Sequence, residues 1–243
     1  MEKTVLVTGS SKGIGAACIK KFASLGYNVI IHYNTSELDA FNLKEEINSN
    51  YPVKTLCIKA NLDNELEIKN MIETIKNKFN KIDVLVNNAA LCIDTLFDDK
   101  TKENFMKTLE VNVVGTFLVS KYIKDIMESG SIINITSTNG IDTYFPMCLD
   151  YDASKSAIIS LTHNLALQYA PNIRVNAVAP GWVATENEMK DVDLEYIKLE
   201  EEKIFIGRIG KPEEIANVVS FLASDEASYI NNAVIRVDGG HYS

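Results

Sequence analysis

Short apolar runs alternate with longer amphipathic stretches along the chain. Seven runs are rich in Val and Ile and show little polar alternation, which is typical of strands buried on both faces. They are Val5–Thr8, Asn28–His32, Val53–Lys59, Asp83–Val86, Ser131–Thr136, Arg174–Val178 and Ala233–Val237. Between them, apolar residues recur every three to four positions, as on one face of a helix. The clearest such helices are the stripe Ile68, Met71, Ile75 and Phe79, and the stretches Thr101–Met127, Tyr151–Tyr169 and Pro212–Leu222.

This alternation predicts the fold class. Strands separated by helices, with long connections, form a parallel sheet covered by helices on both faces. We therefore expect an α/β protein with a doubly wound, seven-stranded parallel sheet of the Rossmann type. No linker, repeat or change in composition divides the chain, so residues 1–243 are expected to form a single domain.

One segment departs from the pattern. Glu186–Lys203 contains eight acidic residues and three Lys, with apolar residues interspersed. A solvated surface helix and a mobile lid over a functional site both fit this composition. We expect residues 186–206, called the acidic segment below, to form a substrate lid.

Composition and charge narrow the class of protein. Hydrophobic residues make up 46% of the 243 residues and charged residues 23%, as in ordinary globular proteins. The net charge of -9 disfavours broad electrostatic binding to nucleic acid or to an anionic membrane. Only three of the 24 basic residues are Arg, so a phosphate site would depend on Lys, hydroxyl groups and backbone amides. Since no signal peptide or apolar run of about 18 residues is present, the sequence predicts a cytoplasmic protein.

The four cysteines give no metal-binding pattern. Cys18, Cys57, Cys92 and Cys148 form no CxxC motif, and none has a nearby His at zinc spacing. We interpret them as reduced thiols, most of them in the core, and predict no metal site.

A glycine-rich loop follows the first predicted strand and opens the first helix. It reads Thr8-Gly9-Ser10-Ser11-Lys12-Gly13-Ile14-Gly15. Glycines at such positions allow a sharp turn and a close approach of a pyrophosphate, whose charge is bound by free N–H groups at the helix N-terminus. The loop therefore predicts a dinucleotide-binding site.

The spacing Thr-Gly-(x)3-Gly-x-Gly resembles the short-chain dehydrogenase/reductase family, and further motifs extend the resemblance along nearly the whole chain. They are Asn87-Asn88-Ala89-Ala90, Val111-Asn112-Val113, Ile133–Ser137, Tyr151-(x)3-Lys155, Pro180-Gly181-(x)3-Thr185, Gly207–Glu214 and Val237–Gly240. The C-terminal third is most similar to the 3-oxoacyl-acyl-carrier-protein reductases of that family. The resemblance implies hydride transfer between a nicotinamide cofactor and a carbonyl or secondary alcohol.

Tyr151 and Lys155 are the expected proton-transferring pair. Their four-residue spacing places both side chains on one face of a helix. A tyrosine can act as acid and base near neutral pH only if its pKa falls from about 10, and a nearby lysine cation favours the phenolate. The resemblance implies that Lys155 also holds the nicotinamide ribose. It further implies that Ser137 polarises the substrate oxygen, with Thr138 as the alternative, and that Asn112 holds a water leading to Lys155.

The resemblance assigns further residues to the cofactor. Besides Tyr151 and Lys155, the expected contacts are Gly9, Ser11, Lys12, Gly13, Ile14, Gly15, Tyr33, Asn34, Thr35, Asn61, Leu62, Asn88, Ala89, Ala90, Pro180, Gly181, Val183 and Thr185. Dehydrogenases that prefer NAD usually carry an acidic residue after the second strand. Here Tyr33–Ser36 lacks a carboxylate and Lys12 is close in the loop, so we expect NADP(H) rather than NAD(H).

Partners and alternatives follow from the same resemblance. The expected partners are a small carbonyl or alcohol substrate and further copies of the chain in a homotetramer, with no nucleic acid and no membrane. Reduction of a 3-oxoacyl group on acyl carrier protein is the alternative function. A dinucleotide-binding regulator without catalysis is the remote one, because the Asn-Ser-Tyr-Lys set is complete. The strand number and glycine spacing disfavour a flavodoxin-like protein.

Overall fold

The structure is a computed structural model that describes residues 2–186, 189–190 and 192–241. Its strands are β1 (Thr4–Val7), β2 (Asn28–Tyr33), β3 (Thr55–Lys59), β4 (Val84–Asn87), β5 (Gly130–Ile135), β6 (Ile173–Pro180) and β7 (Val234–Val237). They form one parallel sheet in the order β3-β2-β1-β4-β5-β6-β7. The strand order reverses between β1 and β4, so the crevice at their carboxyl ends is the place where such sheets bind ligands.

Eight α-helices accompany the sheet in the described residues. They are α1 (Gly13–Ser24), α2 (Glu37–Asn50), α3 (Glu65–Phe79), α4 (Lys102–Leu109), α5 (Thr116–Ile123), α6 (Leu149–Tyr169), α7 (Leu194–Glu201) and α8 (Pro212–Ala223). One core lies between the sheet and α1, α2 and α8, and the other between the sheet and α3, α5 and α6. The predicted α/β fold with seven parallel strands is confirmed. Within the described residues, no helix is both long enough and apolar enough to span a membrane.

The expectation that Thr101–Met127 is helical is confirmed, although the helix changes its winding along its length. The stretch is divided into α4, a π-helical turn at Glu110–Gly115, α5 and a 3₁₀ turn at Lys124–Ile126. The division falls where Gly115 passes so close to Leu62 that a Cβ atom would lie 2.7 Å from its carbonyl oxygen. Inserted π turns of this kind are frequent at functional sites, and this one contains the buried Asn112.

His32 connects the end of β2 to the glycine-rich loop. Its Nδ1 accepts the N–H of Gly9 at 2.9 Å, so Nε2 carries the proton and donates to the Ala60 carbonyl at 3.1 Å. Burial lowers the pKa of His32 to about 4, although the Ala60 carbonyl acts in the opposite direction. The ring is therefore neutral and fixed in one tautomer, in which it supports the turn at Gly9.

We expect His32 to make folding sensitive to acid. Its pKa is about 4 in the folded protein and 6.5 when unperturbed, so the unfolded chain binds more protons between these values. Stability should fall as pH drops through this window, by at most about 3 kcal/mol from this group. Urea unfolding of wild type and His32→Asn at several pH values measures the contribution.

In His32→Asn, the loss of stability on acidification should be smaller than in wild type. His163→Asn serves as the control, because His163 is exposed and contacts Asn232 far from the loop. Equal acid dependence in wild type and His32→Asn would contradict the role given to His32.

Candidate active site

The glycine-rich loop crosses the carboxyl end of β1 with no room for side chains at two positions. Gly9 has φ +60°, and a Cβ atom there would lie 2.7 Å from Cα of Ala89. At Gly15, a Cβ atom would lie 2.6 Å from Nδ2 of Asn88. The loop therefore packs against the segment after β4, and its N–H groups open α1 at the sheet crevice.

Thr8 and Asn88 tie the ends of β1 and β4 together. The Thr8 hydroxyl accepts the N–H groups of Asn88 and Ala89, each at 3.0 Å. The Asn88 amide donates to the carbonyls of Thr8 at 3.0 Å and Gly9 at 2.9 Å. Asn88 thus fixes the glycine loop to β4 rather than offering its amide to a ligand.

The outer side of the loop carries an ion pair. The Lys12 ammonium pairs with the carboxylate of Asp39 at 2.9 Å, on the edge of a polar cavity of about 200 Å³. The segment Tyr33–Ser36 carries no carboxylate, but the first turn of α2, which follows it, brings Asp39 to Lys12. The side chains of Asn34 and Thr35, which follow β2, are exposed, and Asn34 donates to Asn61 at 3.4 Å.

Tyr151 and Lys155 lie on one face of α6, at the carboxyl end of β5. The Lys155 ammonium is 5.2 Å from the centroid of the Tyr151 ring and donates to the Ile135 carbonyl at 2.8 Å. Lys155 is only 3% exposed. Burial lowers its pKa to about 8, while Cys92 acts in the opposite direction. The site therefore holds a lysine cation, largely removed from water, over the face of the tyrosine.

Three neighbouring hydroxyl groups follow β5, and they have different surroundings. Thr136 donates to the Lys155 carbonyl at 2.7 Å, which engages it within the protein. Ser137 is half-buried and accepts the N–H of Asn139 at 3.2 Å, whereas Thr138 is buried. Of the three residues, Ser137 is the most exposed.

Asn112 lies in the π-helical turn and is fully engaged. Its Oδ1 accepts the N–H of Leu91 at 2.7 Å, and its Nδ2 donates to the Leu91 carbonyl and the Ser154 hydroxyl, both at 2.9 Å. The side chain thereby links the segment after β4 to α6.

The segment after β6 closes over the glycine loop. A Cβ atom at Gly13 would lie 3.3 Å from the Thr185 methyl group, and Val183 pairs with Gly210 in an isolated bridge. The remaining predicted cofactor residues lie at the carboxyl ends of strands or in the segments that follow them: Ser11, Ile14, Tyr33, Leu62, Ala90, Pro180 and Gly181. Tyr33 donates to Glu37 at 2.9 Å, and Ala90 is exposed.

The acidic segment follows this closure and contains α7. The ring of Tyr196, in α7, contacts the ring of Trp182 edge-on, with 5.7 Å between the two ring centroids. The end of the acidic segment is attached to the turn after β7, where the N–H groups of Phe205 and Ile206 donate to Gly240 and Gly239 at 2.8 and 3.2 Å. Asn187, Glu188 and Asp191 lie outside the described residues.

Two features of the site were not predicted. The first is a buried ion pair between Lys100 and Asp150, at 2.8 Å, and Asp150 is the residue directly before Tyr151 in the chain.

The second is a cluster in which Cys92 and Cys148 both contact Asp94. The pKa of Cys148 is raised by its hydrogen bond with the Cys92 thiol, by burial and by Asp94. Cys18 and Cys148 are buried and Cys57 packs half-buried against the core, so most of the cysteines lie in the core as expected, whereas Cys92 is exposed. No local pattern signals these contacts, because each joins segments far apart in the chain.

A glycine loop at the switch point of a parallel sheet, with a tyrosine–lysine pair beside it, defines a nicotinamide-dependent oxidoreductase of the Rossmann class. Comparison with known proteins gives the family. The family model for enoyl-(acyl carrier protein) reductase matches residues 9–242. The 3-oxoacyl-[acyl-carrier-protein] reductase FabG of Aquifex aeolicus is 43% identical over 99% of this chain and 97% of its own. Glucose 1-dehydrogenase 2 of Bacillus subtilis is 36% identical over 98% and 94% of the two chains.

Comparison with solved structures gives the same family. A short-chain dehydrogenase/reductase from Serratia marcescens superposes with a TM-score of 0.92 and 34% identity, covering 98% of this chain and 97% of that one. A dehydrogenase/reductase from Sinorhizobium meliloti gives a TM-score of 0.93 at 30% identity, covering 99% and 95%. The chain belongs to the short-chain dehydrogenase/reductase family, and it is an oxidoreductase.

We expect Tyr151→Phe to lower kcat by about 100-fold or more, because it keeps the ring but removes the transferable proton. Cofactor affinity should stay nearly unchanged. Lys155→Ala should reduce both kcat and cofactor affinity. Steady-state kinetics and cofactor titration by fluorescence measure these effects.

Tyr169→Phe is the matched control, since it removes a hydroxyl from the far end of the same helix, where the group donates to the Ser120 carbonyl. Its turnover should remain within a few-fold of wild type. Near-normal turnover of Tyr151→Phe would exclude Tyr151 as the proton donor.

Proposed function

We propose that the protein transfers hydride between NADP(H) and the carbonyl or secondary-alcohol carbon of a free, neutral or weakly charged small molecule. The observation that carries this proposal is the buried Lys155 ammonium held 5.2 Å from the Tyr151 ring centroid, beside the half-buried Ser137. When bound, the nicotinamide supplies or accepts the hydride. The chain's own residues supply the proton and hold the reacting oxygen.

The proposed proton transfer uses Tyr151. In the direction of reduction its hydroxyl donates a proton to the substrate oxygen, and in oxidation its phenolate accepts the alcohol proton. The Lys155 cation stabilises the phenolate, because opposite charges in a weakly polar site interact more strongly than in water. Its pKa of about 8 means that it is mainly charged below that pH. Ser137 donates a hydrogen bond to the same substrate oxygen and so fixes its position.

The proposed cofactor site runs along the carboxyl end of the sheet. The N–H groups at the start of α1 would hold the pyrophosphate. Because Gly9 and Gly15 have no side chains, the loop can pack close to the segment after β4 and leave room for the pyrophosphate. Lys155 would hold the nicotinamide ribose. The segment Pro180–Thr185 would cover the nicotinamide end, since it already lies over the glycine loop at Gly13.

The preference for NADP(H) rests on the surface beyond β2. Asn34 and Thr35 are exposed there and offer hydrogen-bond donors, and Lys12 supplies a positive charge in the glycine-rich loop. The carboxylate of Asp39 neutralises part of that charge, so the preference should be moderate. A 2′-phosphate would compete with Asp39 for Lys12.

A second candidate is reduction of a 3-oxoacyl group carried by acyl carrier protein. It is favoured by relatives with that name in Aquifex aeolicus and Synechocystis, the latter 37% identical. The exposed Lys102 also lies on a largely apolar cavity of about 300 Å³ formed with Phe97, Met106 and Leu149. Lys107, by contrast, is engaged with Asp63. Against docking of an acidic carrier stands the acidic segment, whose part Glu186–Lys203 has eight acidic residues and three Lys.

We further propose that the acidic segment is a lid over the substrate. Leu194, Leu199 and Phe205 expose more than half of their surface, which places apolar side chains where a substrate could cover them. The attachment of Phe205 and Ile206 to the turn after β7 fixes one end of this lid.

Assembly into a homotetramer, or else a dimer, is proposed from the outer faces of α5 and α6. Phe117 and Leu167 are exposed apolar residues there, and Ala153 and Ser160 leave the surface of α6 smooth enough for close packing. Burial of such a patch against a second copy is favourable.

The cofactor preference is tested by comparing kcat/KM for NADPH and NADH. NADPH should be preferred, and Lys12→Ala should reduce its use. Asp39→Asn should raise the NADPH preference by about 5-fold, the effect of about 1 kcal/mol, since it releases Lys12. Glu46→Gln is the control, because this carboxylate lines the same cavity but pairs with Lys20. A clear preference for NADH, or full NADPH use in Lys12→Ala, would refute the proposal.

The substrate class is tested by kinetics on a 3-oxoacyl carrier protein and on small ketones at low and high ionic strength. We expect the small ketones to be better substrates, and the carrier protein to react faster as salt screens repulsion from the acidic segment. A low-micromolar KM for the carrier protein that weakens as salt rises would instead establish attractive docking and assign the second candidate function.

Assembly is tested by light scattering at micromolar concentration. A tetramer or dimer is expected, and Phe117→Glu should shift it toward smaller species. Leu66→Glu, at an exposed apolar residue on α3, should leave the mass unchanged. A wild-type mass of 27.0 kDa, that of one chain, would overturn the proposal.

A further inference from the structure

Two cysteines and one carboxylate meet at the entrance to the catalytic helix. The Sγ atoms of Cys92 and Cys148 lie 3.3 and 2.6 Å from the same oxygen of Asp94. All three potential ligand atoms lie within 4.8 Å of one another. Cys92 and Asp94 are exposed and Cys148 is buried, so the group opens to solvent on one side.

We propose that Cys92, Asp94 and Cys148 form a binding site for one thiophilic divalent cation, of the Zn²⁺ class. Thiolate and carboxylate ligands are those that zinc accepts in tetrahedral sites. Zinc–sulfur and zinc–oxygen bonds of about 2.3 and 2.0 Å would place the ligand atoms about 3.5–3.8 Å apart. The present separations require an opening of roughly 1 Å or less to reach this geometry, and a water molecule can complete the fourth position.

The backbone next to each ligand is already held. Leu91, which precedes Cys92, is bound through both backbone groups by the Asn112 amide. The Ile93 carbonyl, between Cys92 and Asp94, accepts from Lys100 at 2.5 Å. The Thr95 N–H, after Asp94, donates to the carbonyl of Met147, which precedes Cys148, at 3.2 Å. Fixed backbone on both segments reduces the conformational entropy that metal binding would otherwise remove.

The reaction balances without an oxidant or reductant. The cation displaces the protons of both thiols, forms two metal–sulfur bonds and one metal–oxygen bond, and releases two protons to solvent. The product carries one net negative charge from two thiolates, one carboxylate and the dication. It cross-links the segment after β4 to the start of α6, three residues before Tyr151.

The test is direct metal binding to the reduced, metal-free protein. Cd²⁺ is the spectroscopic probe, because thiolate coordination gives an ultraviolet charge-transfer band, and Zn²⁺ is then added to compete against a chromophoric chelator. We expect one equivalent to bind. Cys92→Ser and Cys148→Ser should each weaken binding by at least about 10-fold, since even outer-shell changes cost that much. Asp94→Asn should also weaken it.

Cys57→Ser is the matched control, since Cys57 is a half-buried thiol on β3 that donates to the Ala40 carbonyl away from the site. It should bind Cd²⁺ as wild type does. Cys92→Ser changes an exposed side chain, so a folding defect in Cys148→Ser would not obscure the result. The proposal is overturned if wild type gives no thiolate charge-transfer band, if binding survives Cys92→Ser unchanged, or if Cys57→Ser abolishes it.

Discussion

The proposed active site depends on a lysine ammonium group held almost entirely out of water. Lys155 has the Ile135 carbonyl as a close partner and the Tyr151 ring over it. Removal of a charge from water is costly, and the lowered pKa of about 8 reflects that cost. The surrounding structure must therefore hold Lys155 in place, because an unconstrained side chain would extend into solvent.

The segment that follows β5 packs closely against α6 and holds Lys155 in place. The Thr136 hydroxyl donates to the Lys155 carbonyl, and Gly140 approaches so closely that a Cβ atom would lie 2.7 Å from the Lys155 carbonyl carbon. Further along α6, Ile158 and Leu165 are buried in the protein interior. The position of the cation is thus fixed by strand–helix packing, and the same packing sets the distance to Tyr151.

Periodic and local features of this site could be predicted from sequence. The apolar runs indicate a parallel sheet, the glycine spacing indicates the turn after β1, and the four-residue step from Tyr151 to Lys155 indicates one helix face. Contacts between distant segments could not be predicted. The π-helical turn that contains Asn112 lies where Gly115 packs closely against Leu62. The pairing of Lys12 with Asp39 depends on the direction in which the chain runs from β2 into α2. The meeting of Cys92 with Cys148 likewise requires two loops to be placed side by side.

The buried pair of Lys100 and Asp150 explains how the tyrosine proposed to transfer the proton can follow directly after a buried carboxylate. Burial alone would raise the pKa of Asp150, but hydrogen bonds from Lys100 and Thr108, at 2.8 and 2.7 Å, lower it below its usual value. Asp150 is therefore ionised, and without Lys100 its negative charge would oppose formation of the Tyr151 phenolate. Lys100 also donates to the Ile93 carbonyl. One cation thus neutralises the carboxylate and fixes the segment after β4, so the electrostatics of α6 and the shape of the substrate entrance are set together.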